Sequence, residues 1–285
     1  MGQSSGVLAL GPSSAGAGSK LFFQRWLPEG EPRAVVLLAH GYAEHLGRYE
    51  HVAARLNRDG IAVFAIDHWG HGRSDGARGF VPRFSVFCDG MTSLLELAKA
   101  EFPDCPCILI GHSMGGLIAT AHLLSHQSDY AGAILSGPAL KPGVPPTAAT
   151  LIIGRLLSRF VPKAGILQLD SAAISRDPEV VAAYRADPLV HTGKMTARMA
   201  SEMLDAMAHV QAQAARITLP LLIVHGSKDT LAAPEGAQDM FARVTSTDKR
   251  FELLDGLYHE VFNEPERDTV LDLVCAWIAA HTSSK

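Results

Sequence analysis

The sequence predicts an α/β fold in which helices cover both faces of a mostly parallel β-sheet. Six apolar runs of four to six residues alternate with segments of helical periodicity. This alternation is typical of parallel strands that are buried on both faces. Residues 138–216 interrupt the alternation with a long stretch that contains no clean strand. We therefore expect a helical insertion at that point of the sheet.

The predicted strands are the apolar runs at residues 34–39, 61–66, 107–110, 131–135, 219–224 and 249–254. The predicted helices of the sheet region lie near residues 49–59, 84–102, 114–127, 234–244 and 265–281. Residues 19–27 and the short apolar run before them are expected to add an antiparallel edge.

The predicted core has two parts, residues 1–137 and 217–285, and residues 138–216 form a helical cap between them. Within this cap, helical sequence lies near residues 148–161 and 194–215. Ligands of α/β sheets bind at the carboxyl ends of the strands. An insertion that follows a strand is therefore expected to cover the site as a lid.

The composition excludes several classes of protein. The 285 residues are 47% hydrophobic and 19% charged, which suits one globular domain with a sizeable core, or two small domains. A disordered chain would be poorer in apolar residues, and four cysteines are too few for a disulfide scaffold. The formal net charge of −4 leaves no surplus of Lys and Arg for phosphates, so no nucleic-acid partner is expected.

Location and cofactors follow from what the sequence lacks. No segment contains the roughly 20 apolar residues of a membrane-spanning helix, and the N-terminal residues lack the basic region of a signal peptide. We expect a cytoplasmic protein, peripheral at membranes if it meets them at all. The 13 histidines are scattered, and the glycine-rich loop at residues 69–72 is not followed by the Lys and Ser/Thr of a phosphate loop. Neither a metal ion nor an organic cofactor is expected.

The first catalytic signal is the pattern G-x-S-x-G at residues 111–115. It follows the apolar run at 107–110 and opens a helical segment, which is the strand–turn–helix setting of a nucleophile elbow. Glycines on both sides of Ser113 leave room for a sharp turn in which the serine is strained. Ser113 is therefore predicted to be a nucleophile. The alternative is an ordinary serine in a glycine-rich turn.

A serine nucleophile needs a histidine base, which an acidic residue in turn orients. The chain order expected on this fold is Ser, then Asp or Glu, then His. His259 lies just after the last predicted strand, whereas His281 lies near the end of the chain. Asp229 follows the preceding strand and is favoured as the acid. Asp255 is the alternative, but it adjoins the loop of His259, where a role in ending the strand or making a turn is favoured.

The oxyanion of an acyl-transfer reaction needs two backbone N–H donors. One is expected from Met114, the residue after the nucleophile. The other is expected from Tyr42, in the loop after the first parallel strand. Because the donors are main-chain groups, the side chain of Tyr42 should matter less than its backbone position.

Six segments carry further, more specific patterns. They are HGYAEHLGRY (40–49), FAIDHWGHGRSDG (64–76), GHSMGG (111–116), LDSAAISRDPEVVAAYRADPLVH (169–191), HGSKDTLAAPEG (225–236) and YHEVFNEPER (258–267). Together they resemble the bacterial branch of the monoacylglycerol lipases, a family of the α/β-hydrolase superfamily, and the resemblance extends over nearly the whole chain. It implies an α/β-hydrolase fold with a cap, and a serine hydrolase, active at interfaces, that cleaves a monoacylglycerol to glycerol and a fatty acid.

The resemblance also implies roles for individual residues. The family triad corresponds to Ser113, Asp229 and His259, and the family's oxyanion donors correspond to Tyr42 and Met114. Tyr42 departs from the small residue that mammalian members have at this position, which a backbone donor tolerates.

The polar end of the pocket is expected to differ from that of the mammalian members. Glu44 and Arg48 match family residues near the glycerol end, and their alternative role is a structural ion pair that fixes the loop. Mammalian members have a further histidine three residues beyond the catalytic one, where this chain has Phe262. Phe262 is thus a candidate substrate-binding residue, and glycerol recognition should differ in detail.

Residues 148–161 have an apolar face opposite Arg155, Ser158 and Arg159. The apolar residues are Leu151, Ile152, Ile153, Leu156, Leu157, Phe160 and Val161. In one interpretation this face packs on the protein's own domain. In the other it meets lipid, with the arginines at the headgroup level. The expected partners are therefore a lipid or small ester substrate and, transiently, a membrane or micelle surface.

Three other functions stay open because the superfamily hosts many activities. A broader carboxylesterase or lysophospholipase would act on short acyl esters or other monoesters. A peptidase of the proline-iminopeptidase type would need a carboxylate cluster for the substrate amine, for which Glu44 is the candidate. A hydrolase-fold binding protein would hold a small ligand without turnover, and an intact triad argues against it.

Overall fold

The computed structural model describes residues 2–11 and 16–282, which form a central eight-stranded sheet with helices on both faces. The strands are β1 (Gly2–Ala9), β2 (Lys20–Leu27), β3 (Ala34–Ala39), β4 (Ile61–Ile66), β5 (Cys107–His112), β6 (Gly132–Ser136), β7 (Gly165–Leu167), β8 (Met195–Thr196), β9 (Leu221–Gly226) and β10 (Lys249–Leu254). The α-helices are α1 (Glu50–Arg58), α2 (Ser85–Glu101), α3 (Met114–His126), α4 (Ala148–Phe160), α5 (Pro178–Ala186), α6 (Ala197–Gln213), α7 (Pro234–Arg243) and α8 (Arg267–Thr282).

The main sheet has the strand order β1-β2-β4-β3-β5-β6-β9-β10. In this sheet the neighbouring strands β4, β3, β5, β6, β9 and β10 pair in parallel. Strands β1 and β2 pair with antiparallel neighbours and form one edge. The mostly parallel sheet and its antiparallel edge, both expected from the sequence, are therefore confirmed.

Strand β3 shows how both faces of the sheet are covered. All six of its residues are buried. Val35 and Leu37 belong to one hydrophobic cluster, together with residues of α2 and α3. Val36 and Leu38 belong to a second cluster, together with residues of α1 and α8. Because successive side chains of a strand point to opposite faces, each face of the sheet packs against its own set of helices.

Residues 138–216 lie between β6 and β9 and contain helices α4, α5 and α6. No strand is expected here from the sequence, but β7 pairs with β8 in a short antiparallel ladder. These two strands have three and two residues, which is too short for a periodic pattern. Helix α5 is also absent from the helices predicted from the sequence. Its start is fixed locally, because the Asp177 side chain accepts from the Glu179 N–H and Pro178 takes the first helical position.

Helix α4 turns its apolar face outward. Ile152, Ile153, Leu156 and Phe160 are each at least 54% exposed. Ser158 is buried instead, and its carbonyl oxygen accepts a hydrogen bond from the guanidinium of Arg198 in α6 at 2.8 Å. The interpretation in which this apolar face packs on the protein's own domain is therefore wrong for these four residues. Among residues 2–11 and 16–282, no helix is both long and apolar enough to cross a bilayer.

Candidate active site

Ser113 connects the end of β5 to the start of α3 in a strained turn. Its backbone has φ 52° and ψ −118°, a region that costs a residue with a Cβ atom about 1–3 kcal/mol. The neighbouring glycines permit the turn. A Cβ atom on Gly115 would lie 2.0 Å from the Ala39 carbonyl oxygen, and one on Gly111 would lie 2.4 Å from the Gly115 carbonyl oxygen. The close packing of α3 on β3 and β5 therefore requires glycine on both sides of the serine.

The side chains of Ser113, His259 and Asp229 form one hydrogen-bonded chain. The Nε2 atom of His259 lies 2.8 Å from Ser113 Oγ, and its Nδ1 atom lies 2.6 Å from Asp229 Oδ2. An Nδ1–H that donates to the carboxylate leaves Nε2 free to accept the serine hydroxyl proton. Asp255, the alternative acid, accepts instead from the Ser227 hydroxyl at 3.2 Å. The structure thus brings together the three residues that the sequence analysis favours.

The carboxylate of Asp229 accepts hydrogen bonds from four N–H groups. Its Oδ1 atom accepts from the backbone of Leu231 at 2.8 Å and of Ala232 at 3.0 Å. Its Oδ2 atom accepts from His259 and, at 3.0 Å, from His225. Burial alone would raise the pKa of Asp229, but the charge of His259 and these hydrogen bonds hold it well below its usual range. Burial alone would likewise lower the pKa of His259, but the Asp229 carboxylate raises it above its ordinary value.

The two expected oxyanion donors lie next to Ser113. Met114 is the first residue of α3, and the first N–H groups of a helix have no carbonyl partner within that helix. Tyr42 lines the same cavity as Ser113. Its aromatic ring is buried. The roles of the Tyr42 and Met114 N–H groups as oxyanion donors stay predictions.

The loop that carries Tyr42 is fixed on both sides of that residue. The Gly41 N–H donates to Glu44 Oε1 at 2.6 Å. Ala43 adopts φ 68°, and its carbonyl oxygen accepts from the His191 N–H at 2.7 Å. Because His191 belongs to residues 138–216, this part of the chain contacts the oxyanion loop directly. The position of the Tyr42 N–H therefore depends on Glu44 and on His191.

Arg48 bridges two buried carboxylates beside this loop. Its guanidinium donates to Glu44 Oε2 at 2.6 Å and to both oxygens of Glu260 at 2.7 Å. The Tyr49 hydroxyl donates to Glu44 Oε1 at 2.6 Å, and the guanidinium lies 4.7 Å from the centroid of the Tyr184 ring. Glu44 and Arg48 thus form the structural ion pair that the sequence analysis considers as an alternative. Glu44, Glu260 and Tyr184 also line the cavity.

Phe262, a candidate for the polar end of the pocket, lies elsewhere. Its side chain is buried and belongs to the same hydrophobic cluster as Leu46 and Val52, and it does not line the cavity. A large apolar side chain is more stable in that cluster than beside polar groups. Glu260, which the sequence analysis does not single out, lines the cavity instead. Its position next to His259 is the sequence signal that could have identified it.

Ser113 and His259 line a cavity of about 600 Å³. Much of its wall is apolar and includes Leu169, Met195, Met203, Leu204 and Met207. Each buried CH₂ group contributes about 0.8 kcal/mol, so such a wall suits an acyl chain. His112 also lines the cavity, where burial lowers its pKa to about 3 and keeps it neutral. In the part of the chain that the structure describes, no group of three His, Cys, Asp or Glu side chains is arranged to hold a metal ion.

Comparison with known proteins places the chain among hydrolases. A family model described as serine aminopeptidase, S33, matches residues 30–266. The monoacylglycerol lipase of Mycolicibacterium smegmatis is 43% identical over 270 residues, which are 94% of this chain and 96% of that protein. The monoglyceride lipase of Rattus norvegicus is 34% identical over 92% of this chain and 88% of that protein.

Solved structures give the same result. A monoacylglycerol lipase of Paleococcus ferrophilus superposes with a TM-score of 0.82 at 30% identity, covering 90% of this chain and 98% of that one. A soluble variant of the Saccharomyces cerevisiae monoglyceride lipase, in complex with a substrate analogue, gives 0.85 at 25% identity, covering 100% and 97%. With its parallel sheet, its serine turn and these relatives, the chain belongs to the monoacylglycerol lipase family of the α/β-hydrolase superfamily.

Proposed function

We propose that this protein is a serine hydrolase that cleaves the ester bond of monoacylglycerols to give glycerol and a fatty acid. The observation that carries the proposal is the hydrogen-bonded chain from Ser113 through His259 to Asp229, at the wall of an apolar cavity. The similarity to monoacylglycerol lipases supports the substrate class.

The reaction begins when Ser113 Oγ attacks the ester carbonyl while His259 Nε2 takes the hydroxyl proton. The N–H groups of Tyr42 and Met114 stabilise the oxyanion of the tetrahedral intermediate. His259 then gives its proton to the glycerol oxygen as the bond between that oxygen and the acyl carbon breaks. Glycerol departs, and the acyl group stays bound to Ser113 as an acyl-enzyme. Asp229 holds the imidazole in the Nδ1–H tautomer and stabilises the imidazolium.

Water completes the cycle. His259 takes a proton from a water molecule as that molecule attacks the acyl carbonyl, and the same two N–H groups stabilise the second oxyanion. The fatty acid then leaves, and Ser113 Oγ regains its proton from His259. Both halves of the reaction use the same base, so a single group in its neutral form controls the rate at low pH.

We propose further that residues 138–216 act as a cap over the two-part core of residues 1–137 and 217–285, and that the cap contacts lipid surfaces. The support for lipid contact is the outward apolar face of α4, with Ile153, Leu156 and Phe160 exposed. Clustered exposed apolar side chains are typical of a surface that meets a partner or a membrane.

The charge of this region supports an anionic surface as the preferred one. Residues 138–163 contain four basic residues and no acidic residue, although the whole chain has a net charge of −4. The basic residues are Lys141, Arg155, Arg159 and Lys163. Basic side chains beside an apolar helix face are attracted to anionic headgroups by about 1 kcal/mol each. The protein should therefore sediment with anionic vesicles more than with neutral ones, and equal binding to both would refute this preference.

The second candidate function is a broader carboxylesterase or lysophospholipase. It is favoured by the carboxylates of Glu44 and Glu260, which line the cavity but are already engaged by Arg48. Phe262, where mammalian members have a histidine, lies outside the cavity and adds no polar group to it. The peptidase alternative is disfavoured, because the carboxylate of Glu44 already accepts from Gly41, Arg48 and Tyr49. That carboxylate is therefore not free to bind a substrate amine.

The experiment that separates these functions is hydrolysis of 1- and 2-monoacylglycerols across acyl lengths, beside diacylglycerols, triacylglycerols, a lysophospholipid and unrelated small esters. Fatty-acid release is measured, and Ser113→Ala is the control. The proposal predicts a strong preference for monoacylglycerols and no turnover by the variant. Comparable rates on unrelated small esters would favour the broader esterase. Turnover by Ser113→Ala would overturn the assignment of the nucleophile.

A further inference from the structure

His225 is a buried histidine that contacts the proposed catalytic acid. It lies near the end of β9, and its side chain is inaccessible to solvent. Its Nε2 atom lies 3.0 Å from Asp229 Oδ2 and 3.1 Å from the Ala232 carbonyl oxygen. A carboxylate and a carbonyl oxygen can only accept hydrogen bonds. The hydrogen of the His225 ring therefore sits on Nε2 and is shared between these two acceptors.

The second of these contacts connects the acid to the cap. The Ala232 N–H donates to Asp229 Oδ1 at 3.0 Å, so the loop after Asp229 folds back on its carboxylate. In the same loop, the Leu231 carbonyl oxygen accepts from the Gly143 N–H at 3.1 Å. His225 thus donates to both ends of a loop that holds the acid and binds the first residues of the cap.

We propose that His225 is a positioning residue for Asp229, because it fixes the carboxylate that orients His259. Without the His225 donor, Oδ2 would accept from His259 alone, and the loop would lose its link through the Ala232 carbonyl. The inference rests on the proposed function, since it concerns the same hydrogen-bonded chain. It adds a fourth residue to that chain, one that donates to the acid from its Nε2 atom.

The effect of removing this donor has a definite sign. The titratable groups facing His259 are Asp229, Glu260, Glu44 and His112, and a substitution at position 225 changes none of them. A hydrogen bond from His225 disperses part of the carboxylate charge. Removing it leaves more of that charge to stabilise the imidazolium, so the pKa of His259 rises. The acid limb of the kcat/KM profile should then move to higher pH.

The test compares His225→Ala with His225→Gln on a water-soluble p-nitrophenyl ester, so that it does not depend on monoacylglycerol preference. A glutamine amide can donate from the position of the histidine Nε2 atom and does not titrate. In His225→Ala we expect kcat to fall about tenfold, which is less than the roughly 100-fold loss that a misplaced catalytic group can cause. We also expect the acid limb of the kcat/KM profile to move to higher pH. His225→Gln should restore most of both.

His122→Ala is the matched control. His122 is also buried, and its ring makes a hydrogen bond at 2.9 Å to the Tyr130 hydroxyl rather than to a site residue. This variant should lose stability and leave the acid limb where it is. The proposal is wrong if His225→Ala keeps the wild-type kcat and acid limb, or if His225→Gln restores neither.

A second measurement covers the case in which the variants do not fold. Nitrogen NMR of the wild-type protein with ¹⁵N-labelled histidine should show a hydrogen on the Nε2 atom of His225. A ring whose only hydrogen is on Nδ1 would overturn the proposal, because Nε2 could then not donate to Asp229. Neither result depends on which ester is the natural substrate.

Discussion

Replacing Arg48 by methionine removes the cation between two buried carboxylates. The side chains of Glu44 and Glu260 are 3% and 6% exposed, and the guanidinium donates to them at 2.6 and 2.7 Å. Removing one partner of a buried ion pair costs about 3–5 kcal/mol, because the remaining charge lacks both its counter-ion and water. Arg48→Met should therefore lower the free energy of unfolding by about 3–5 kcal/mol. Since Glu44 also holds the Gly41 N–H, kcat should fall as well.

Arg55 offers a matched control for this substitution. It also contacts two carboxylates, those of Asp59 at 2.7 Å and Asp272 at 3.0 Å, but the three side chains are 26%, 32% and 70% exposed. Exposed ion pairs contribute about 0–1 kcal/mol, so Arg55→Met should cost less than about 1 kcal/mol.

The two variants are compared with the wild type by urea unfolding, followed by tryptophan fluorescence and fitted with a shared slope. Adding Glu260→Gln to Arg48→Met should recover part of the loss, because one of the two unpaired charges is then gone. Equal losses in Arg48→Met and Arg55→Met would refute the argument that burial decides the energy of these pairs.

Three further substitutions have definite expected outcomes. Gly115→Ala should lower the free energy of unfolding by more than the roughly 1–3 kcal/mol of ordinary overpacking, because its Cβ atom would lie 2.0 Å from the Ala39 carbonyl oxygen. Thermal unfolding followed by circular dichroism measures this loss. Asp229→Asn should lower kcat by about 10⁴-fold. Activity rises with pH through the pKa of His259, because the neutral imidazole is the base. Since Asp229 raises that pKa, Asp229→Asn should move the acid limb to lower pH. Leu156→Glu should abolish vesicle binding while kcat/KM on a water-soluble ester stays at the wild-type value, whereas loss of both would contradict a purely interfacial role.

The strands that could be predicted are those buried on both faces. Strands β3 and β4 are continuous apolar runs, and the structure begins and ends them at the predicted residues. The short ladder of β7 and β8 could not be predicted in this way. It pairs Gly165 with Thr196, so it depends on contacts between distant parts of residues 138–216 rather than on a local pattern.

The proposed catalytic residues could be located in sequence because each follows a strand. Ser113, Asp229 and His259 lie after β5, β9 and β10, whose carboxyl ends meet at one edge of the parallel sheet. The bond between Arg48 and Glu260 joins residues 212 positions apart, and no spacing rule selects one partner among 29 acidic residues. Such contacts follow from tertiary packing and have to be read from the structure.

The outward face of α4 shows a different limit of sequence reasoning. The apolar stripe was visible in the sequence, but a stripe that packs on the core and one that meets lipid have the same periodicity. The structure shows only that this stripe does not pack on the core, because Ser158 is buried against α6 while Leu156 and Phe160 are exposed. Contact with lipid stays a proposal. Periodicity therefore identified the helix and its two faces, and the packing of α4 on α6 determined their orientation.

The most direct test of the account is to identify the residue that becomes acylated. The wild-type protein, mixed with a monoacylglycerol and quenched in acid during turnover, should carry the acyl group on the peptide that contains Ser113, as detected by mass spectrometry. Ser113→Ala should carry no acyl group and release no fatty acid. An acyl group on another residue, or monoacylglycerol hydrolysis that persists in Ser113→Ala, would contradict the account.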